Sequence, residues 1–188
     1  MISPGDQIGV GIIGCGKISQ AYFDGAKTFQ VLNILACADL DGAAAQAKSE
    51  ENDCEALSIA KLLAHPEIQL VINLTIPAAH AAVTRDILEA GKHAYCEKPL
   101  TVEVEDARDL LVLAKSKDLL IGCAPDTFFG AGIQTCREIV DSGEVGTITS
   151  GTAFMLSAGP ESWHPNPGFY YLLGGGPVLD MAPYYLTA

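Results

Sequence analysis

The residues best suited to chemistry sit where apolar runs stop. Residues 7–19 read Gln-Ile-Gly-Val-Gly-Ile-Ile-Gly-Cys-Gly-Lys-Ile-Ser, an apolar run (Ile8, Val10, Ile12, Ile13) that breaks into Gly14-Cys15-Gly16 and restarts as a helix-like stretch at Lys17. Gly14 permits a tight turn, and Gly16 lets a pyrophosphate come close to the backbone. The helix opening at Lys17 offers unpaired N–H groups and a partial positive charge to that anion. Ser19 stands where a dinucleotide fingerprint has a third Gly or Ala, and its side chain is small enough for close packing. Such turns also serve structure and other cofactors, S-adenosylmethionine among them, so the surrounding unit decides.

Asp39 lies twenty residues beyond Ser19, at the end of the next apolar run. Its carboxylate either accepts the adenosine ribose hydroxyls or caps the helix that Asp39-Leu40-Asp41-Gly42 precedes. The ribose reading favours NAD over NADP, because a carboxylate repels a 2′-phosphate and no Lys or Arg follows until Lys48. Thr75 and Pro77 would shape a wall beside the nicotinamide. His80, one turn inside the Pro77 start, packs over the cofactor or serves the structure. Lys98, between Glu97 and Pro99, either meets a substrate hydroxyl and tunes a proton acceptor or is a solvated surface lysine. Pro99 holds Lys98 extended. Asp180 and Tyr184 are four apart and share a face if Pro177 starts a helix after Gly176. They form either a proton relay or a helix-start acid and a packing tyrosine.

These residues need elements to hold them. Strand-like runs at 8–13, 31–38, 55–57, 69–74, 93–96 and 119–123 alternate with helical patterns at 17–27, 43–51, 59–64, 78–90 and 102–115. The run at 69–74 is nearly all apolar, as a strand covered on both faces should be. This rhythm predicts a parallel, doubly wound sheet through residue 125. Ligands of such sheets lie beyond the carboxyl ends of the strands, where residues 14–16, Asp39, residues 75–80, Glu97-Lys98-Pro99 and Pro125-Asp126 all fall. After Pro125 the pattern changes to a helix at 133–141, a β-branched strand at 147–156 and a loop at 159–168. The expected domains are therefore 1–125 and 126–188.

With 188 residues, 49% of them apolar and 18% charged, the chain is a globular one with room for one domain or one and part of another. Eleven basic against 23 acidic residues leave a net charge of −12, which repels nucleic-acid backbones and anionic membranes. No secretory signal and no membrane span are expected. Six dispersed cysteines without a CxxC pair suit reduced thiols in the cytoplasm, and neither they nor the four histidines have metal-ligand spacing.

Several motifs occur together in one order: Gly14-Cys15-Gly16-Lys17-Ile18, Thr75-Ile76-Pro77-Ala78-Ala79-His80, Ala90-Gly91-Lys92-His93 and Glu97-Lys98-Pro99-Leu100. Asp141-Ser142-Gly143-Glu144-Val145-Gly146 and Gly174-Gly175-Gly176-Pro177-Val178-Leu179-Asp180 follow. Together they resemble the glucose–fructose oxidoreductase/inositol dehydrogenase/MocA (Gfo/Idh/MocA) family of NAD(P)-dependent oxidoreductases. The resemblance implies an N-terminal Rossmann domain followed by the start of an α+β domain with a mainly antiparallel open sheet. It implies hydride transfer between nicotinamide and a secondary hydroxyl or carbonyl of a sugar, cyclitol or related small molecule, with a catalytically silent dinucleotide-binding module as the rival. The family's lysine falls on Lys98 and the aspartate of its Asp-x-x-x-His pair on Asp180, but its histidine position holds Tyr184. A phenol would serve there with its pKa lowered by Lys98 and the positive cofactor ring, or His164 would supply the proton from its loop. Cofactor contacts would fall on Gly14, Gly16, Lys17, Ile18, Asp39, Thr75, Pro77, His80, Glu97 and Lys98. Substrate contacts would fall on Phe128, Trp163, His164, Asn166 and Tyr170. Family members run to roughly twice the usual ~150 residues of a domain, so this chain reads as a partial polypeptide, a homo-oligomer at full length.

Overall fold

The structure, a computed structural model, describes residues 7–162, 164 and 166–187. The chain divides into two compact units, Met1–Cys123 and Ala124–Ala188. The first holds β1 (Ile8–Ile13), α1 (Ser19–Ala26), β2 (Leu32–Ala38), α2 (Gly42–Asn52), β3 (Glu55–Ala56) and α3 (Ile59–Leu63). It continues with β4 (Ile68–Asn73), α4 (Pro77–Glu89), β5 (His93–Cys96), α5 (Val104–Ser116) and β6 (Ile121–Cys123).

The six strands form one sheet in the order β3-β2-β1-β4-β5-β6, every neighbouring pair parallel. Parallel pairing demands a crossover after each strand, and the crossovers cover both faces of the sheet. Successive strand residues therefore enter different cores. Ile12 and Ile72 pack with Phe23 of α1 and Ala45 of α2, while Ile13 and Val71 pack with Leu62, Ile87, Leu88 and Leu110 of α3, α4 and α5. The chain leaves β1 in one direction and β4 in the other. The loops after these two central strands diverge and open a crevice at the carboxyl edge.

The second unit contains 3-10 turns at Thr127–Phe129 and Pro167–Tyr171 and helices α6 (Ala131–Ser142), α7 (Gly176–Asp180) and α8 (Ala182–Leu186). Among the described residues the expected antiparallel sheet is not present: the six strands all lie in the first unit, and residues 147–156 carry none. β-branched composition disposes that stretch to be extended, but a strand also needs a neighbour to exchange N–H and C=O groups with. Among the described residues none pairs with it.

Candidate functional site

Gly14 and Gly16 shape the turn after β1 in different ways. Gly14 has φ +104°, and a Cβ there would come within 2.6 Å of the Leu74 backbone, so the fold itself demands glycine. Its N–H donates to the Ala38 carbonyl at 2.9 Å. A Cβ at Gly16 would meet nothing within 4 Å. The space beside it is open, and nothing in the protein requires the side chain to be missing. Ser19 is buried beneath the turn and donates its hydroxyl to the Gly16 carbonyl at 2.7 Å. Helix α1 begins at Ser19, later than the expected Lys17, and Ile18 before it supplies no side-chain cap. Lys17 and Ile18 are exposed on the rim of the turn.

Asp39, half-buried just past β2, accepts the Cys15 N–H at 2.7 Å through Oδ2 and the Asp41 N–H at 2.9 Å through Oδ1. It does not cap α2. Asp41 does, accepting from Ala43 N–H at 2.9 Å. The Asp39 carboxylate is thus held against the glycine turn, and each oxygen keeps acceptor capacity for a hydroxyl.

β4 ends in Asn73, fully buried, which composition alone did not single out. Its Nδ2 donates to the His80 carbonyl at 3.2 Å and to Thr84 Oγ1 at 3.1 Å. Its Oδ1 accepts from Thr75 N–H at 3.2 Å and Thr75 Oγ1 at 2.7 Å. Pro77 opens α4, where its missing N–H costs nothing. The His80 ring is buried, with Nδ1 2.6 Å from the Pro99 carbonyl and Nε2 2.9 Å from the Thr75 carbonyl. It joins the loop after β4 to the loop after β5 and spends both nitrogens inside the protein.

Glu97 and Lys98 follow β5. The Glu97 N–H donates to the Asn73 carbonyl at 2.9 Å, which extends the β4 edge by one residue. Glu97 Oε2 accepts the Lys98 N–H at 2.8 Å, and Oε1 accepts the Tyr22 hydroxyl of α1 at 2.8 Å. Lys98 is half-buried. Tyr22 is the contact that sequence reasoning missed: 75 residues separate it from Glu97, and no periodicity connects them.

Gly14, Gly16, Asp39, Thr75, Pro77, Glu97 and Lys98 therefore share the carboxyl edge of one sheet. Asp180 and Tyr184 belong to the second unit. The single helix expected to align them is broken at Met181, so Asp180 ends α7 and Tyr184 lies in α8. Pro183 lacks the N–H that a continuous helix would need there. Of the expected substrate contacts, the His164 ring meets Phe169 at a 49° tilt with centroids 4.6 Å apart, and Phe128 meets Phe129 at a 46° tilt and 4.1 Å. Asn166 donates its N–H to His164 Nδ1 at 3.1 Å, and the Tyr170 ring meets Phe169 and Tyr171 edge-on. Trp163 lies outside the described residues. Among the described residues no cluster of His, Cys, Asp or Glu could hold a metal ion, and no helix is long and apolar enough to cross a membrane.

The sequence profile of the oxidoreductase family with an NAD-binding Rossmann fold matches residues 8–124. The profile of the GFO/IDH/MocA C-terminal domain matches residues 133–188. The chain is 31% identical to the dTDP-3,4-didehydro-2,6-dideoxy-alpha-D-glucose 3-reductase of Saccharopolyspora spinosa, over 93% of this chain and 53% of that protein. It is 26% identical to the inositol 2-dehydrogenase of Rhizobium meliloti, over 91% of this chain and 50% of that protein. The crystal structure of GenD2 from gentamicin A biosynthesis, in complex with NAD, shares the fold with a TM-score of 0.80 at 17% identity, over 99% of this chain and 54% of that one. The chain spans about half the length of the curated relatives it matches. On the profile matches together with the 3-2-1-4-5-6 sheet and its glycine turn, this chain belongs to the Gfo/Idh/MocA oxidoreductase family.

Proposed function

We propose that the carboxyl edge of the sheet serves an NAD-preferring oxidoreduction of a secondary hydroxyl or carbonyl on a sugar, cyclitol or related small molecule. Two relatives are named for redox chemistry on a sugar nucleotide and on inositol. The observation that carries the reading is the convergence of the glycine turn, Asp39, Thr75, Pro77, Glu97 and Lys98 at the carboxyl edge of the sheet, with Asp39 accepting the Cys15 N–H of the turn at 2.7 Å and open space beside Gly16. A pyrophosphate there would lie against backbone N–H groups at the start of α1, and Asp39 would take the ribose hydroxyls. When bound, the nicotinamide supplies the hydride acceptor or donor. Thr75 and Pro77 would wall its ring, Glu97 would fix the Lys98 backbone, and His80 would hold the two loops together from behind.

In this reading Lys98 hydrogen-bonds the substrate hydroxyl, Tyr184 takes or returns its proton, and Asp180 orients the group. Residues 1–125 act as the dinucleotide domain, and residues 126–188 begin the substrate domain. The thiols of Cys15, Cys37 and Cys96 are buried in the first unit, which suits a reducing cytoplasm.

Lys98→Ala should lower turnover by about 10²–10⁴-fold, the usual worth of a positioned proton-handling group. NAD binding by calorimetry should change by no more than about threefold. Unchanged turnover across a panel of sugars and polyols would remove Lys98 from the reaction. The cofactor preference is tested separately. NADP should bind about tenfold or more weakly than NAD, and Asp39→Ser should narrow that gap by removing the carboxylate.

A further inference from the structure

We infer that Tyr22 is a positioning residue for Lys98, acting through Glu97, and that it ties the lysine to the helix following the glycine turn. The inference rests on the proposed role of Lys98 and extends it to a residue outside the proposed cofactor and substrate contacts. Lys98 lies two residues beyond β5, past the end of the hydrogen-bonded ladder. The residue after it is proline, which has no N–H to donate. At this point the backbone is held by a side chain: Glu97 Oε2 accepts the Lys98 N–H at 2.8 Å. A glutamate can offer that oxygen in many rotamers, so something must choose one.

The Tyr22 hydroxyl makes that choice by donating to the other oxygen, Oε1, at 2.8 Å. Tyr22 is itself fixed. It sits in α1, and its ring meets Tyr95 of β5 at a centroid distance of 6.4 Å and a 59° tilt. Four parts of the first unit thus meet on one residue, Glu97: its carboxylate accepts from Tyr22 of α1 and from the Lys98 backbone in front, its own N–H donates to the Asn73 carbonyl at the end of β4, and β5 lies behind it. Helix α1 is the element whose start faces the open space at Gly16. The anchor for the dinucleotide and the direction of the lysine are set by one rigid piece.

Tyr22→Phe keeps the ring and its packing and removes only the hydroxyl. Amide hydrogen exchange on the whole chain reads the backbone consequence. The Lys98 amide should exchange about tenfold faster or more, the effect of losing one hydrogen bond to a charged acceptor. Amides of β1 and β4 should keep their rates, which shows that the fold is intact. Turnover should show a split, kcat falling about tenfold while KM for NAD stays within about twofold. An unchanged Lys98 amide overturns the inference whatever the turnover does. A faster amide with unchanged kcat, in a chain that Lys98→Ala inactivates, overturns it too. If Lys98→Ala itself leaves turnover intact, the proposed reaction has failed at Lys98, and the exchange rate alone decides whether Tyr22 holds the backbone there.

Discussion

Gly14 and Gly16 look equivalent in sequence and answer to different demands. At Gly14 a side chain would require φ +104° and would press into the Leu74 backbone. Gly14→Ala should therefore cost about 2 kcal/mol or more in urea unfolding, from backbone strain with a steric clash on top. At Gly16 a methyl group enters open space. Gly16→Ala should leave stability within about 0.5 kcal/mol and weaken NAD binding about tenfold or more. A pair of variants with equal unfolding cost and equal NAD affinity would contradict this division. Asp39 carries a similar lesson. The spacing from Ser19 left a ribose role and a cap role open, and the cap belongs to Asp41. Only coordinates separate two aspartates two residues apart, because both are at the right distance from the helix.

At the scale of elements, the alternation of apolar runs with helical patterns was enough to predict the parallel sheet, because strands buried on both faces leave so plain a signal. Its edges were also legible, since Gly, Pro and Asp mark the places where chains stop pairing. Cross-links between elements were not legible. Asn73 reads as the last polar residue of a strand, yet it is buried and joins the end of β4 to both the Thr75 turn and α4 through four contacts. Asn73→Leu should cost about 3 kcal/mol, because it strands the buried Thr84 hydroxyl and His80 carbonyl and the half-buried N–H and hydroxyl of Thr75. Thr84→Val should cost less, about 1.5 kcal/mol, since only the bonds of the Thr84 hydroxyl, with Asn73 and Cys96, are lost and the rest of the network remains. Chemical denaturation of both variants checks the ordering. The reverse order would mean that Asn73 is not the hub. The stretch at 147–156 misled for a complementary reason: strand propensity is local, but pairing is not. Similarly, the i, i+4 spacing of Asp180 and Tyr184 assumes a helix that Pro183 does not permit.

Over the whole molecule, stability is concentrated in the first unit, where two cores flank the sheet. No helix of the second unit buries a large apolar side chain, and Phe154, Leu156 and Leu173 are exposed. The thiols of the first unit give that stability a pH signature. Hydrogen bonding to Cys15, followed by burial, pushes the Cys37 thiol up to about 12, and burial pushes Cys96 up to about 12 and Cys123 up to about 11. Cys15 is shifted down by its hydrogen bond from Cys37, and burial shifts Lys92 down. A group with a raised folded pKa keeps its proton after the unfolded chain has lost one. Its stabilising contribution is whole below pH 9.0 and is lost as pH rises towards the folded value. The two lowered groups act in the opposite direction but are outnumbered. Stability should therefore fall above about pH 9, by about 1.4 kcal/mol per pH unit for each unmatched thiol. Cys96 is the cleanest probe, because burial is its leading cause and no bond to another thiol raises it. Cys96→Ala should lower stability at pH 7 by about 1 kcal/mol for the lost packing. It should also flatten the alkaline limb by close to one proton. Parallel limbs for wild type and variant in urea unfolding between pH 8.5 and 11 would show that the folded thiol ionises as it does in the unfolded chain. The buried edge of β5 would then be wetter than its packing implies.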